Sequence, residues 1–551
     1  MAFSGEDELV LLPLGGAGEI GMNFNAYGFG PPDARKWLVV DCGVLFGRET
    51  DTPGVDVIMP DIRFLAERRE DVVAVVLTHA HEDHIGAVGY LWPQLRCPLY
   101  ATPFTARLIQ DKLEEAELQD RVRVNVVPLH GKLSLGPFAV EFLSITHSIP
   151  EPNALSIRTP LGVVVHTGDW KIDPDPLIGE TTDENAFRKI GDAGVLAMVC
   201  DSTNALVQGH SGSEADVRKA LTDLIGTLRG RVAVTSFASN VARLDTIAKA
   251  ARVHGRQLAL VGRSMHRIVA AAKDTGYLKD FPPILAEEEA ERLPPNRVLY
   301  LITGSQGEPR AALARIARND HPAVTLGPGD AVIFSSRIIP GNELAIFELH
   351  NQLSALGVEV LTVEDHFVHV SGHPAREELS EMYRWVRPQI AVPVHGELRH
   401  MSEHARLAKS LQVPQAVVVQ NGQMLRLAPG RAALVDEVPS GRIHMDGRVM
   451  VEEGLGLARA RRAMGFGGLI AVMIPLDPKG RVAAEPALLL EGIPEAIEAP
   501  VREALDGALR RYNPKHDDEE TLRESVRRAV RRAAADAWGK KPVTRVTIVR
   551  V

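Results

Sequence analysis

The chain has 551 residues, with 62 Lys and Arg against 71 Asp and Glu, so its formal net charge is −9. This length predicts two to four domains at roughly 100–200 residues each, and 45% hydrophobic with 24% charged residues excludes a wholly disordered or collagen-like chain. The mildly acidic balance argues against a protein that coats nucleic acid through bulk charge, although it leaves room for a local basic groove.

The cysteines and the N-terminus indicate the compartment. Cys42, Cys97 and Cys200 lie far apart without a CxxC pair, which favours reduced thiols over a disulfide framework. The first residues are acidic where a signal peptide needs a basic segment, and no apolar run approaches the ~18 residues of a membrane span. These features predict a soluble, cytoplasmic protein that does not contact a membrane.

Short apolar runs alternate with loops and helical patterns over residues 1–205 and predict buried strands. The strands are expected at Lys36–Val40, Val72–Leu77, Val163–Val165 and Val195–Cys200. An acid or a histidine follows each of them: Asp41, His79, His166 and Asp201. Polar residues just past buried strands are where sites on α/β layers are usually built.

A second α/β pattern covers residues 206–365 and is expected to form a separate unit. Ser213 begins a helical pattern, a strand is predicted from Arg231 to Ser236, and another helix from Asn240. Strands ending in histidines then return, which predicts that the middle unit is inserted into one domain made of residues 1–205 and 366–450.

The C-terminal part is expected to be a small α/β domain at residues 467–551, joined by a linker at residues 451–466. Its strands are predicted at 469–474 and 543–551, and its helices at 494–511 and 518–537.

The densest cluster of metal-ligand residue types is THAHEDH at 78–84, directly after a buried strand. It contains His79, His81, Asp83 and His84. A loop that enters a helix directs two imidazoles to one side and Asp83 with His84 to the other, which predicts two neighbouring metal positions. A solvated polar turn is the alternative, but four ligand-type side chains in six residues argue against it.

Three later residues complete the ligand set: His147 in SITHSIP, Asp169 in HTGDW and His395 in PVHGE. The expected ligands of one ion are His79, His81 and His147, those of the other are Asp83, His84 and His395, and Asp169 is expected to bridge them. Because no thiolate is present, the set suits Zn²⁺ or Mn²⁺. Two such ions activate a shared water, so no serine or cysteine nucleophile is needed.

Several motifs in one order resemble the metallo-β-lactamase superfamily, within it the β-CASP nucleases, and most closely the RNase J family. They are LGGAGEIGMN at 14–23, THAHEDH, CDSTNA at 200–205, TSFASNVARL at 235–244, HVSGHP at 369–374 and PVHGE at 393–397. The resemblance covers essentially the whole chain. It implies an α/β fold: a four-layer αβ/βα sandwich with an inserted α/β β-CASP domain and a small C-terminal α/β domain.

The function implied by the resemblance is metal-dependent hydrolysis of single-stranded RNA in RNA processing and decay. A 5′-to-3′ exonuclease that prefers 5′-monophosphate ends is expected, with endonuclease activity left open. A small-substrate metallo-hydrolase is one alternative, although it would not need residues 206–365. A DNA-processing β-CASP nuclease is another, disfavoured because such members tend to carry valine in place of His395. A non-catalytic scaffold would have lost metal ligands.

The resemblance also implies roles for residues outside the ligand set. Asp41 is expected to support the metal histidines from behind, and Asp83, Asp201 and His369 are expected to be catalytic, with His369 helping to protonate the leaving oxygen. The expected substrate-binding residues are Phe237, Ala238, Ser239, His369, Val370, Ser371, Gly372 and His373.

The segment after His369 has a local interpretation as well. Pro374 suits the first position of a helix over Ala375–Trp385, so the backbone N–H groups of Ser371 to His373 are expected to cradle a phosphate. A plain helix start is the alternative.

Two further expectations, a calcium site and an assembly of subunits, rest on the resemblance alone. Glu49, Asp51 and Asp446 resemble a structural Ca²⁺ site, with solvated acids as the alternative. A homodimer or homotetramer through the C-terminal domain and partner proteins of RNA decay are also implied. An Arg-rich stripe over 523–532 is expected to be a solvated or subunit-contact face rather than an RNA site.

Residues 16–21 spell GxGxxG, the pattern of dinucleotide-binding loops. That role requires a helix to follow, whereas residues 22–27 have the pattern of a strand. We therefore interpret the glycines as a tight turn near the metal site and exclude NAD.

Overall fold

An eight-stranded sheet forms the first layer of the molecule in the computed structural model, which describes residues 6–48 and 50–551. Its strands, in spatial order, are Ala433–Glu437, Gln423–Ala428, Glu8–Gly15, Phe24–Gly30, Lys36–Val40, Val72–Val76, Leu99–Ala101 and Val124–Val126. The last four of these strands run parallel to one another. Both predicted strands in this sheet are confirmed to within one residue.

A seven-stranded sheet forms the second layer. Its strands, in spatial order, are Lys132–Leu135, Phe138–Ser144, Asn153–Thr159, Gly162–His166, Ala197–Asp201, Ile390–Val394 and Gln415–Ala416. One apolar core contains inward side chains of both sheets, for example Leu38 and Val76 of the first with Phe142 and Val164 of the second. The two sheets therefore pack face to face.

Helices accompany both sheets and complete the four layers. Those belonging to the first sheet are Arg63–Ala66, Glu82–Ile85, Val88–Leu95 and Pro103–Glu115. Those of the second sheet are Glu184–Ala193, Arg376–Val386 and Leu398–Ser410. Phe187, Met382 and Leu407 of the latter group share a buried cluster with Met198 and Ala391 of the sheet. The predicted αβ/βα arrangement is confirmed.

The inserted unit leaves and re-enters the second sheet at adjacent strands. Ala197–Asp201 and Ile390–Val394 are parallel neighbours although about 190 residues separate them along the chain. The chain therefore departs after Asp201, builds a further sheet, and returns beside its point of departure, as the sequence pattern predicted.

The inserted unit is built on a six-stranded parallel sheet. Its strands, in spatial order, are Ile284–Leu285, Gln257–Val261, Val298–Ile302, Val232–Thr235, Ala331–Phe334 and Glu359–Leu361. Its helices are Glu214–Thr227, Val241–Val253, Arg263–Asp274, Glu287–Glu291, Ala312–Ala317 and Glu343–Ala355. Ser213 and Asn240 cap the first two helices through their side chains, which confirms both predicted starts.

The chain forms two compact units, and the second contains residues 46–58 and 442–551. Its C-terminal sheet has the order Ala487–Glu491, Leu469–Leu476, Val543–Arg550, with helices Glu498–Arg511 and Glu519–Trp538 packed on one face. A hairpin of Arg442–Asp446 and Val449–Glu452 belongs to the same unit. Two short strands, Leu45–Phe46 and Val57–Pro60, lie where the chain passes between the units.

The expected linker at 451–466 includes most of the helix Leu457–Gly467. Gly456, at a φ of 76°, stands at the start of this helix. Among the described helices, none combines the length and apolar character that crossing a bilayer requires.

Candidate metal centre

The loop that carries the HxHxDH motif follows the buried strand Val72–Val76 and enters the short helix Glu82–Ile85. His81 is the extended residue just before that helix, with φ −70° and ψ 151°. The backbone turn between His81 and the helix sends His79 and His81 to one side and Asp83 with His84 to the other. The division of the motif between two positions is thus a consequence of the helix start.

The first position brings together His79, His81, His147 and Asp169, one ligand atom from each lying within 4.8 Å of the others. Nδ1 of His81 is 3.2 Å from Nε2 of His79 and 3.0 Å from Nε2 of His147. Three ring nitrogens therefore converge on one point.

The second position brings together Asp83, His84, Asp169 and His395 within the same limit. One Asp83 oxygen, Oδ2, lies 3.6 Å from Nε2 of His84 and 3.7 Å from Nε2 of His395. These are the ligands that the sequence assigned to the second ion.

Asp169 lies between the two positions through a single oxygen. Its Oδ2 is 3.2 Å from Nε2 of His84 and 3.4 Å from Nε2 of His395 on one side, and 3.9 Å from Nε2 of both His79 and His147 on the other. This placement is what a carboxylate shared by two neighbouring cations requires.

Acceptors behind the ligands fix which ring nitrogen faces the site. Asp41, fully buried behind the motif, accepts from Nδ1 of His84 at 2.7 Å and from the backbone N–H of Thr78 at 2.8 Å. Because the Thr78 hydroxyl donates to Asp41, it accepts from Nδ1 of His79 at 3.0 Å. Nδ1 of both rings is thus engaged behind the site, and Nε2 of both rings faces it. The supporting role expected of Asp41 agrees with this geometry.

Asn23 performs the same task for His395, and sequence reasoning missed it. The Asn23 Nδ2 donates to the backbone carbonyl of Asp83 at 3.1 Å, and its Oδ1 lies 2.8 Å from Nδ1 of His395. Since the Asp83 carbonyl accepts and cannot donate, the amide orientation is set, and Nδ1 of His395 must carry the proton. Nε2 of His395 then points its lone pair into the site.

The donor atoms suit divalent metal ions. Asp169 Oδ1 and His395 Nε2 are buried without a hydrogen-bond partner in the described part of the chain. Buried polar atoms of folded proteins normally have such a partner. Burial lowers the pKa of His81 to about 4 and that of His79 and His147 well below the usual value. Imidazoles held neutral are the form that coordinates a metal.

His373 and Asp201 form a buried pair beside the two positions. Nδ1 of His373 donates to Asp201 Oδ2 at 2.8 Å and lies 3.8 Å from Asp169 Oδ2. Burial alone would lower the pKa of His373, but the Asp201 carboxylate raises it to about 9. Asp201 therefore favours the protonated form of this imidazole. The pKa of the ligand His84 is raised as well: burial would lower it, but Asp169, Asp83 and Asp41 raise it well above its usual value.

His369, the histidine that the sequence assigned to leaving-group protonation, lies in a different environment. Burial, reinforced by the Arg243 guanidinium, lowers the pKa of His369 to about 3. Within residues 6–48 and 50–551 its Nδ1 has no hydrogen-bond partner. These effects disfavour the protonated form of the ring, and the role expected of His369 stays a prediction.

The segment 371–373 contacts the metal ligands directly. The Gly372 carbonyl accepts from Nδ1 of His147 at 2.6 Å. The Ser371 hydroxyl accepts from the Asn204 side chain at 2.8 Å and from the His373 backbone N–H at 3.1 Å. The expected phosphate-binding loop is thus placed at the metal centre.

The prediction that Pro374 opens a helix is wrong. The helix begins at Arg376, with Ala375 as its N-cap and Glu378 accepting from the Ala375 backbone N–H at 2.8 Å. Residues 371–373 therefore precede the helix as an irregular loop instead of forming its first N–H groups.

Comparison with known proteins gives four family matches along the chain: the metallo-beta-lactamase superfamily at 26–224, the ribonuclease J beta-CASP domain at 229–353, a Zn-dependent metallo-hydrolase RNA specificity domain at 358–417, and the ribonuclease J C-terminal domain at 457–551. Ribonuclease J of Sinorhizobium meliloti is 47% identical over 554 residues, covering 99% of this chain and 98% of the relative. This chain belongs to the ribonuclease J family.

Two further relatives have the same length relationship. Ribonuclease J of Mycolicibacterium smegmatis is 39% identical, with 98% of this chain and 96% of the relative covered, and that of Thermus thermophilus is 35% identical, with 99% and 96% covered. A solved structure, described as a protein of unknown function from Enterococcus faecalis V583, has a TM-score of 0.52 at 15% identity over 76% of this chain and all of that one. It supports the fold alone. Membership of the family makes the chain a metal-dependent ribonuclease.

A buried ionic network in this ribonuclease joins the inserted unit to the loop after strand Gly162–His166 of the second sheet, and no sequence motif indicated it. Arg243 and Glu214 are bonded at 2.9 Å with side chains 0% and 2% exposed. Glu214 in turn donates its backbone N–H to Asp173, which pairs with Lys171 at 2.8 Å. Arg243 also donates to the backbone carbonyl of Val368, the residue before His369.

The loop Phe237–Ser239 of the TSFASN motif lies between strand Val232–Thr235 and helix Val241–Val253. Phe237 is 36% exposed and Ser239 is half-buried. Arg243, on the helix that follows this loop, donates to the Val368 carbonyl at 3.1 Å.

The glycine-rich turn lies against the metal centre, as predicted. Ala17–Gly18 pairs with Gly396–Glu397, and the Gly16 carbonyl accepts from the His395 backbone N–H at 2.6 Å. Gly16 has a φ of 84°, a conformation that glycine adopts without strain. The strand Phe24–Gly30 follows the turn, in agreement with the pattern of residues 22–27.

The Ca²⁺ site expected at Glu49, Asp51 and Asp446 stays a prediction, and its described residues contact arginine side chains. Asp446 is paired with Arg461 at 2.7 Å, and the same guanidinium donates to the Pro53 carbonyl at 3.0 Å. The Asp51 carbonyl accepts from Arg462. Arginine side chains therefore supply the positive charge where the resemblance suggested a cation. Glu49 lies outside the described residues.

Proposed function

We propose that this ribonuclease hydrolyses single-stranded RNA from the 5′ end, with preference for a 5′-monophosphate. The observation that carries the proposal is the proximity of the segment Ser371–His373 to the metal ligands: the Gly372 carbonyl accepts from His147, and His373 Nδ1 lies 3.8 Å from Asp169 Oδ2. A terminal phosphate bound by this segment lies next to the reacting centre. An internal phosphodiester offers no terminal phosphate, so the arrangement favours the exonuclease over the endonuclease.

Seven side chains are proposed to hold two divalent ions, Zn²⁺ or Mn²⁺: His79, His81 and His147 for one, Asp83, His84 and His395 for the other, and Asp169 for both. When bound, two such ions lower the pKa of a shared water and stabilise negative charge on the attacked phosphoryl group. The chain's own contribution is to engage Nδ1 of His79, His84, His147 and His395 in hydrogen bonds behind the site, with Nε2 of each ring directed at two points about one carboxylate oxygen.

His373 is proposed to protonate the leaving 3′ oxygen, in place of His369. Its Nδ1 proton is engaged by Asp201 at 2.8 Å, so the proton on Nε2 is the one available for transfer. Asp201 raises the pKa of the ring to about 9 and holds it in place. General acids in this role contribute typically 10²–10⁴-fold to the rate.

The C-terminal unit is proposed to carry the contact between subunits of a homodimer or homotetramer. On strand Leu469–Leu476 alternate side chains are buried beneath the helices. On the opposite face Met473 is 51% exposed, and Leu489, on the neighbouring strand, is 54% exposed. An exposed apolar sheet face of this kind favours association.

The test of the proposed activity uses one single-stranded RNA with three 5′ ends. With Mn²⁺ present, we expect rapid mononucleotide release from 5′-monophosphate RNA and slower release from 5′-triphosphate or 5′-hydroxyl RNA, with no release from matched DNA. Ser371→Ala should reduce the monophosphate preference by about tenfold, the equivalent of one hydrogen bond to a charged group. Equal rates for all three ends in the wild-type enzyme would overturn the 5′-end assignment.

A further inference from the structure

The loop that returns from the inserted unit is part of the support of one metal ligand. His147 follows strand Phe138–Ser144 of the second sheet, and Gly372 is 225 residues further along the chain. Nδ1 of His147 nevertheless donates to the Gly372 carbonyl at 2.6 Å. The hydrogen-bond partners behind His84 and His395 lie outside this loop: Asp41 accepts from His84, and Asn23 accepts from His395. The first metal position thus depends on a segment that comes from elsewhere in the fold.

This hydrogen bond determines the protonation pattern of His147. A backbone carbonyl only accepts, so Nδ1 must carry the proton and Nε2 must be free. Nε2 is the nitrogen that lies 3.0 Å from His81 Nδ1 and 3.9 Å from Asp169. Displacement of the loop would remove the acceptor and leave the ring free to rotate away from the first metal position.

Gly372 packs so closely against the ring that only a hydrogen fits. A Cβ at this position would lie 2.8 Å from His147 Cε1 and 2.9 Å from both His147 Nδ1 and Ser148 Oγ. The requirement for glycine here is space, since its φ does not lie in the left-handed region. Any side chain at 372 would push the imidazole.

Glu378 holds the loop in this place. The carboxylate is 0% exposed and accepts four hydrogen bonds of 2.7–2.8 Å. Oε1 accepts from the Ile172 backbone N–H and the Ser211 hydroxyl, and Oε2 accepts from the backbone N–H groups of Ser211 and Ala375. Three chain segments meet at one side chain: the loop that contains Asp169 and Ile172, the outgoing crossover at Ser211 and the returning crossover at Ala375.

The four donors require a carboxylate. Each oxygen of Glu378 faces two donors, and an ionised carboxylate is an acceptor at both. A glutamine would place an NH₂ group against two donor groups, which loses two hydrogen bonds and leaves buried donors unsatisfied. The predicted consequence is a shift of the Ala375 end of the loop, three residues from Gly372.

We propose that Glu378 is a positioning residue for the metal centre: by fixing the returning crossover it presents the Gly372 carbonyl to His147 and thereby sets the affinity of the first metal position. The proposal rests on the proposed function in one respect, the assignment of His147 as a metal ligand. Glu378 itself contacts none of the seven ligands through the hydrogen bonds described for it, so its effect on metal binding is indirect.

The test measures Mn²⁺ binding to metal-free enzyme by isothermal titration calorimetry, with Tm measured in parallel. Wild-type enzyme is expected to bind two ions. In Glu378→Gln one of the two should bind about 10–100-fold more weakly, the loss typical of an outer-shell defect, while the other keeps its wild-type affinity. The matched control is Glu377→Gln, one residue away on the same helix, where an exposed carboxylate pairs with His210 at 3.0 Å; both of its sites should be unchanged.

Gly372→Ala provides a second route to the same answer. It leaves Glu378 and its four donors untouched but displaces the His147 ring, so it should weaken the same single site, and it decides the question if Glu378→Gln does not fold. Two sites of wild-type affinity in folded Glu378→Gln or in Gly372→Ala would overturn the inference while leaving the proposed function intact. A wild-type enzyme that binds fewer than two ions would instead overturn the two-metal assignment.

Discussion

The loop at 78–84 and the segment at 369–375 both line the metal centre, but they reach it in different ways. The first is local: one strand end and one short helix place four ligands within seven residues. The second is brought there by topology, through contacts of Gly372 with His147 and of His373 with Asp201. A short motif can therefore encode the identity of ligands, whereas the orientation of a ligand depends on distant parts of the chain.

The same difference separates two histidines that are four residues apart. His369 is influenced by burial and Arg243, which lower its pKa to about 3, and His373 by Asp201, which raises its pKa to about 9. The three-dimensional surroundings therefore distinguish the two rings.

Removing a ligand of the local motif should have the largest effect on hydrolysis. Asp83→Ala deletes the carboxylate of the second metal position, and we expect a loss greater than the roughly 100-fold that follows removal of an outer-shell group. The measurement is the initial rate of RNA hydrolysis together with bound metal per chain. Glu82→Ala, an exposed neighbour paired with Lys112, is the control and should retain activity; retention by Asp83→Ala would refute the ligand assignment.

The next largest effect on kcat should come from His373, and His369 should have a smaller one. His373→Ala is expected to lower kcat by about 10²-fold or more, because it removes a general acid, and His369→Ala by less than about tenfold. Single-turnover cleavage of 5′-monophosphate RNA with metal contents matched gives both values. A larger loss in His369→Ala than in His373→Ala would reinstate the sequence-based assignment of the acid.

Much of the fold was predictable from the sequence because strands and helices follow local apolar patterns, as at Lys36–Val40 and after Asn240. The seven proposed ligands could be singled out because the dense motif directs attention to later strand-end residues. Asn23 was not, since nothing in LGGAGEIGMN distinguishes a supporting amide from a turn residue. Glu378 did leave a signal: it falls on the same helical face as Met382, and a charge on an apolar face indicates a buried partner.

Asn23→Leu should sharpen the contrast between the two metal positions. The change keeps the side-chain size but removes the acceptor for His395 Nδ1, so the second ion should bind about 10–100-fold more weakly. Calorimetry with Mn²⁺ should show the first ion unaffected, the opposite of Glu378→Gln. The distinction between the two ions would be lost if Asn23→Leu and Glu378→Gln affected the same site.

Loss of the buried Glu214–Arg243 pair is expected to have the smallest effect on catalysis. Its effect is on the free energy of unfolding, and this effect depends on pH. Burial opposes ionisation of Glu214, yet Arg243 outweighs it and holds the pKa of Glu214 below the ordinary 4.5. The stabilisation is therefore fully present above pH 4.5 and is lost as the pH falls through the lower pKa of the folded state. Glu214→Gln should cost about 3–5 kcal/mol at neutral pH.

Urea unfolding at pH 7 and at acid pH measures this effect. The difference in unfolding free energy between wild type and Glu214→Gln should shrink as the pH falls below 4.5, whereas exposed Asp216→Asn should show little difference at any pH. A difference independent of pH would contradict the ionic account of the network.

A crystal structure of the enzyme with Mn²⁺, located by anomalous scattering, tests the central claim most directly. The account predicts two ions roughly 3.5–4 Å apart, both bound to Asp169, with His147 bonded through Nδ1 to the Gly372 carbonyl and through Nε2 to the first ion. A single ion, or a His147 ring turned away from Gly372 with both ions in place, would contradict it.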